Sequence, residues 1–170
     1  MNKPFVAVLM GSDSDLPVLQ STMDVLKGLE IPFEVKITSA HRTPAATHAY
    51  VKDADGRGCS VFICAAGLAA HLAGAVAGLT LKPVIGVPLD AGPLQGMDSL
   101  LSTVQMPGGI PVATVAVGKP GAKNAAYLAA QILALSDPEL AARIRADREA
   151  NAAGVQAKDA ELQARLANSE

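Results

Sequence analysis

The chain has 170 residues, half of them hydrophobic, which is enough for one domain with its own core and too apolar for a disordered chain. Its formal net charge of −2 gives no basic excess for binding nucleic acid or an anionic membrane, so an anionic ligand has to be held by local donors. Aromatic residues are 3% and Trp is absent, which weakens readings that need aromatic stacking platforms, such as flavin or single-stranded RNA binding.

In chain order, Phe5–Met10 is an apolar, β-prone run that breaks at Gly11. It carries no cleavage-site pattern and is too short to span a bilayer, so the expected location is cytoplasmic. Leu16, Leu19, Met23, Leu26 and Leu29 recur at spacings of three and four, the mark of an amphipathic helix. Phe33–Thr38 is a second strand. Thr43-Pro44 reads as a cap and first helical residue, opening a helix toward Asp53. Val61–Ala65 is a third strand, followed by a small-residue helix from about Ala69 to Gly78. Val84–Val87, Met97–Val104, Val112–Val117 and Ala122–Leu135 read as strand, helix, strand and helix. Asp98 and Ser99 suit a cap at the start of the fourth helix, and Gln105–Gly109 is a turn.

Strand and helix therefore alternate five times. Strands that are near-continuous apolar runs are buried on both faces, which predicts a parallel five-stranded sheet between two helical layers. The expected fold class is α/β, a flavodoxin-like three-layer sandwich with an added C-terminal helix. The expected division is a doubly wound catalytic domain over 1–136 and a helix or arm over 137–170. Asp137 would cap that arm, which would reach a neighbouring subunit. The two cysteines, Cys59 and Cys64, match no zinc spacing and read as small buried residues of one strand. No metal site is expected.

In an open parallel sheet, ligands bind beyond the carboxyl ends of the strands. Gly11-Ser12-Asp13-Ser14-Asp15 follows the first strand, Ser39-Ala40-His41-Arg42 the second, Ala65-Ala66-Gly67 the third and Gly118–Gly121 the fifth. The first loop opens a helix, whose N–H groups suit an anion. Ser12 and Ser14 add hydroxyls, and a carboxylate such as Asp15 can accept from a ribose; a capping role for Asp13, Ser14 or Asp15 is the simpler alternative. The loop is neither a Walker motif nor GxGxxG. In the second loop, the imidazole of His41 can give and take a proton near neutral pH, and Arg42 offers a planar fork for phosphate or carboxylate. His71 falls near the same rim, whereas His48 reads as a surface residue.

The motifs GSDSD, SAHRTP, AAHLAG and MDSLLSTVQMPGGIPVATVAVG, followed by GAKNAAYLAAQIL, occur in that order over residues 5–150. In this the chain resembles the 5-(carboxyamino)imidazole ribonucleotide mutase family of bacterial purine synthesis. The resemblance implies isomerisation of a carboxyamino nucleotide to its ring-carboxylated form by loss and recapture of carbon dioxide. It implies an octamer and no cofactor. By motif, His41 would be the general acid and base, and Ser12, Asp15 and Arg42 would bind the nucleotide, with Arg42 at the phosphate. Ser14, Ser39, Ala66, Gly67 and His71 would lie against the substrate. The chain departs from the family pattern at Leu68, where a glycine is usual, and at Ala73, where a proline is usual. Two alternatives share the fold: direct carboxylation of aminoimidazole ribonucleotide by dissolved carbon dioxide, and a flavin- or nucleotide-binding electron carrier.

Overall fold

The structure is a computed structural model and describes residues 4–168. It forms two compact units that divide between Ile132 and Leu133. The first holds a five-stranded parallel sheet in the order β2-β1-β3-β4-β5. The strands are β1 (Phe5–Met10), β2 (Phe33–Ile37), β3 (Cys59–Ala66), β4 (Val84–Pro88) and β5 (Ala113–Thr114). The helices are α1 (Leu16–Gly28), α2 (Pro44–Arg57), α3 (Leu72–Ala77), α4 (Met97–Val104), α5 (Lys119–Ala134) and α6 (Pro138–Ala167). This strand order is the flavodoxin-like one, with its topological switch between β1 and β3.

All six residues of β1 are buried, as expected of a central strand covered on both faces. Phe5, Ala7 and Leu9 face one layer with Val51 and Ala54 of α2, Phe62 and Cys64 of β3, and Leu72 and Val76 of α3. The alternate residues Val6, Val8 and Met10 are buried on the opposite face. There α1 and α5 meet through Thr22, whose buried hydroxyl donates to the Ala122 carbonyl at 2.7 Å. Burying a side chain the size of Leu9 or Phe62 contributes about 1.5–3 kcal/mol, so this double-sided core carries most of the sheet's stability. Cys59 and Cys64 lie on β3 as small buried residues; burial pushes the Cys59 thiol up to about 11 and the Cys64 thiol higher still.

Several boundaries differ from the sequence reading. The α3 helix begins at Leu72 rather than Ala69, because Leu68 takes a left-handed backbone (φ 55°) and the next residues turn before the helix starts. The ladder of β5 shrinks to two residues. Beyond them, Val115 N and Gly118 N still reach the carbonyls of Gly86 and Pro88. Asp98 and Ser99 do not cap α4. The cap position is Gly96, at φ 83°, and the Ser99 hydroxyl instead donates to the carbonyls of Leu89 and Gly96. Thr43 does occupy the cap position of α2, but its hydroxyl closes the preceding loop. Helix α2 runs on to Arg57 and stops at Gly58, whose φ of 100° favours glycine.

The edge strand β2 is fixed to α2 through one carboxylate. Glu34 accepts from Arg57 Nη2 at 2.8 Å and from the Tyr50 hydroxyl at 3.1 Å, and Arg57 Nε also reaches Asp53 at 2.7 Å. The guanidinium beside it holds the Glu34 carboxyl below the usual glutamate range. An acid whose folded pKa is depressed adds stability above its unfolded pKa of about 4.3 and loses it as pH falls through the folded value. Glu34→Gln should therefore lower the denaturation midpoint at neutral pH by a modest amount, since the pair is partly exposed, and the gap to the parent should close in acid. Urea titrations at neutral and acid pH measure both. The loop between these two tethered elements carries His41 and Arg42.

In the second unit, Asp137 caps α6 by accepting from Leu140 N at 2.9 Å, and Pro138 stands at the first helical position, as expected. The helix is continuous over 30 residues and exposed throughout from Arg148 to Asn168. Among the described residues no helix is long and apolar enough to cross a membrane.

Candidate active site

At the β1/β3 switch point a cleft of about 480 Å³ opens over the carboxyl ends of the strands. Ser12, Ser14, Asp15, Ser39, His41 and Arg42 line it, and so do Ala66, Gly67 and His71. Every site residue expected from the sequence is thus brought to one place. The Gly118–Gly121 stretch opens α5, which starts at Lys119 rather than at Ala122, and it does not line the cleft. It is committed to packing, for a Cβ on Gly121 would run into the Ala116 carbonyl.

The first loop is pre-folded by its own side chains. Ser12 N donates to Asp15 Oδ2 at 3.0 Å while Ser14 N donates to the Ser12 hydroxyl, a reciprocal capping box on a short 3₁₀ turn that feeds α1. Ser12 and Asp15 therefore do cap the turn, and they line the cleft as well. Burial holds the Asp15 carboxyl above the ordinary aspartate range, against the hydrogen bonds from Ser12, Ser14 and Gly11 that lower it.

The second loop is over-determined. Thr43 Oγ1 accepts from Ser39 N at 2.9 Å and donates to Ser39 O at 3.1 Å, and Arg42 N donates to the Ser39 hydroxyl. Beneath it the buried hydroxyls of Thr38 and Thr47 meet at 2.7 Å. His41 and Arg42 are exposed side chains on this rigid turn. Arg42 Nη2 spans to the Gly11 carbonyl at 3.2 Å, which spends one N–H and leaves the rest of the fork for an anion.

His41 Nε2 lies 2.7 Å from His71 Nδ1, with the ring planes at 85°. One nitrogen must carry the hydrogen and the other must accept it, so two imidazolium rings would break the contact. The contact ties the two rings together through one shared hydrogen. His71 comes from the turn before α3, so the pair joins the second and third loops.

The third loop is clamped to the fourth. Leu89 N donates to the Ala66 carbonyl at 2.9 Å, and a Cβ on Gly67 would meet the Ala91 side chain, so glycine is required there for close approach. Leu68 stands next, half exposed, in a conformation that costs a non-glycine residue about 1–2 kcal/mol. Gly11, Ala40, Ala69, Leu72 and Ala91 also line the cleft and were not singled out as site residues. Ala91 was within reach of sequence reasoning, since the strand-end rule applies to β4 as it does to the other strands.

Fold and cleft together define a flavodoxin-like α/β protein with paired imidazoles and a guanidinium at its switch point. The chain belongs to the AIR carboxylase family, whose model matches residues 5–154. It is similar to the N5-carboxyaminoimidazole ribonucleotide mutase of Mycobacterium tuberculosis, at 54% identity over 95% of this chain and 91% of that protein. The mutase of Bacillus subtilis is 51% identical over 86% of this chain and 91% of that protein. Among solved structures, PurE of Treponema denticola superposes with a TM-score of 0.85 at 32% identity, covering 94% of this chain and 99% of that one.

Proposed function

We propose that this chain converts N5-carboxyaminoimidazole ribonucleotide to 4-carboxy-5-aminoimidazole ribonucleotide in de novo purine biosynthesis. The observation that carries the reading is the imidazole pair of His41 and His71 at 2.7 Å in the cleft that also holds Arg42, in a chain about half identical to mutases over most of its length.

In the first half-reaction the carbamate N–C bond breaks and carbon dioxide leaves. The electron pair stays on nitrogen, which takes a proton from His41. The aminoimidazole left behind is electron-rich at ring carbon 4, whose π pair forms the new bond to carbon dioxide. His41 then removes the proton from carbon 4, which restores the aromatic ring and resets the imidazole. One group serves as acid and then as base, and the proton count closes without a redox cofactor. His71 fixes the plane of the His41 ring and stands within proton-exchange distance of it. Arg42 takes the phosphate, and Asp15, with the hydroxyls of Ser12, Ser14 and Ser39, orients the nucleotide. The Ala66-Gly67 backbone lies against the base. Holding the released carbon dioxide beside carbon 4 is a proximity effect.

The same reading puts the enzyme in the cytoplasm as an octamer. It assigns residues 1–136 to catalysis and 137–170, with the exposed run of α6, to contact with a neighbouring copy. The deciding assay supplies the carboxyamino nucleotide and follows the carbon-carboxylated product. Turnover at low bicarbonate is expected; carboxylation of aminoimidazole ribonucleotide at low bicarbonate, with the carboxyamino nucleotide ignored, would overturn the assignment.

A further inference from the structure

The lining of the cleft is divided by polarity. The loops after β1 and β2 contribute every polar lining side chain but one, Ser12, Ser14, Asp15, Ser39, His41 and Arg42, beside Gly11 and Ala40. Apart from His71, the loops after β3 and β4 contribute only apolar surface there: Ala66, Gly67, Leu68, Ala69 and Ala91. Leu68 is the bulkiest of these. Its backbone is left-handed and its surface is 53% exposed, so neither local conformation nor core burial accounts for a leucine at this point.

The segment around it is nevertheless held firmly. Ala66 and Gly67 are clamped to Leu89 and Ala91, and the Ser102 hydroxyl bonds both the Leu68 carbonyl and Ala70 N. The Leu68 side chain leans over Gly92, where a Cβ would collide with it and where φ is 100°. An apolar side chain on a firmly held backbone therefore lies in the apolar part of the lining, over a glycine that makes room for it.

Carbon dioxide has no dipole and is a poor hydrogen-bond acceptor, so the apolar half is where it is held least in competition with water. We propose that Leu68 is a positioning residue, the wall that keeps released carbon dioxide beside the reacting ring; this rests on the mutase reading above. Its loss should show as escape of the gas rather than as loss of proton transfer.

The test runs the full-length protein on the carboxyamino nucleotide in ¹³C-bicarbonate buffer with carbonic anhydrase present. Two quantities are read: the labelled fraction of product, and the free aminoimidazole ribonucleotide formed above uncatalysed breakdown. Leu68→Ala keeps the Cβ and the backbone restriction but removes the bulk, and should raise both quantities several-fold. Leu68→Met restores apolar bulk and should return both toward the parent values. A structural defect alone would change kcat or stability without changing either fraction. If Leu68→Ala leaks no more than the parent, or changes only KM, the inference is overturned while the mutase reading stands. If the parent does not turn over the carboxyamino nucleotide, both fall.

Discussion

His41→Asn is expected to leave the fold and nucleotide binding intact and to cut kcat by about 10²–10⁴, the usual worth of a positioned acid–base group. The side chain is exposed, on a turn whose shape is set by Ser39 and Thr43 rather than by the imidazole. Surface changes of this kind move stability by about 0.5 kcal/mol or less. Asparagine is polar and close in size to the inner part of the ring, but it has no group that titrates near neutral pH. Both half-reactions need the proton, one to release carbon dioxide from nitrogen and one to free carbon 4, so neither escapes the loss. Steady-state kinetics together with equilibrium binding of the nucleotide separate the two effects. Activity within a few-fold of the parent would remove His41 from the mechanism.

Arg42→Ala should act on the other parameter. A hydrogen bond to a charged group contributes about 1.5–3 kcal/mol, so losing the guanidinium should raise KM by roughly 10- to 150-fold with a much smaller change in kcat. Arg42→Lys keeps the charge but loses the planar fork, and should fall between the parent and the alanine variant. The bond from Arg42 to the Gly11 carbonyl lies at the surface, so the fold should survive both changes. If both variants bind nucleotide like the parent, the phosphate lies instead on the Gly11–Ser14 loop at the start of α1.

The ladder of elements was legible because hydrophobic periodicity is local. The ranges of β1 and α4 were read correctly from the apolar pattern alone. The rule that ligands sit beyond strand ends located the loops after β1, β2 and β3. Left unread was what depends on distant partners. The His41–His71 contact joins residues 30 apart through the crossover between β2 and β3, and no local pattern encodes it. The cap expected at Asp98 and Ser99 failed because the Ser99 hydroxyl is taken by the Leu89 carbonyl, at the end of another strand. The start of α3 was misplaced because leucine carries no signal for a left-handed backbone. Departure of Leu68 from the usual glycine was visible in the sequence, but only the backbone angle shows that the leucine is held under strain.

The histidine pair also turns the molecule into its own spectrometer. The chain contains three histidines: two are joined in the cleft, and the third, His48, is exposed on α2. Histidine-selective ¹⁵N labelling would therefore give six ring-nitrogen signals, four from the site and two from an internal reference. Nuclear magnetic resonance could then follow tautomer and protonation state directly as nucleotide is added, without a tag, a dye or a mutation.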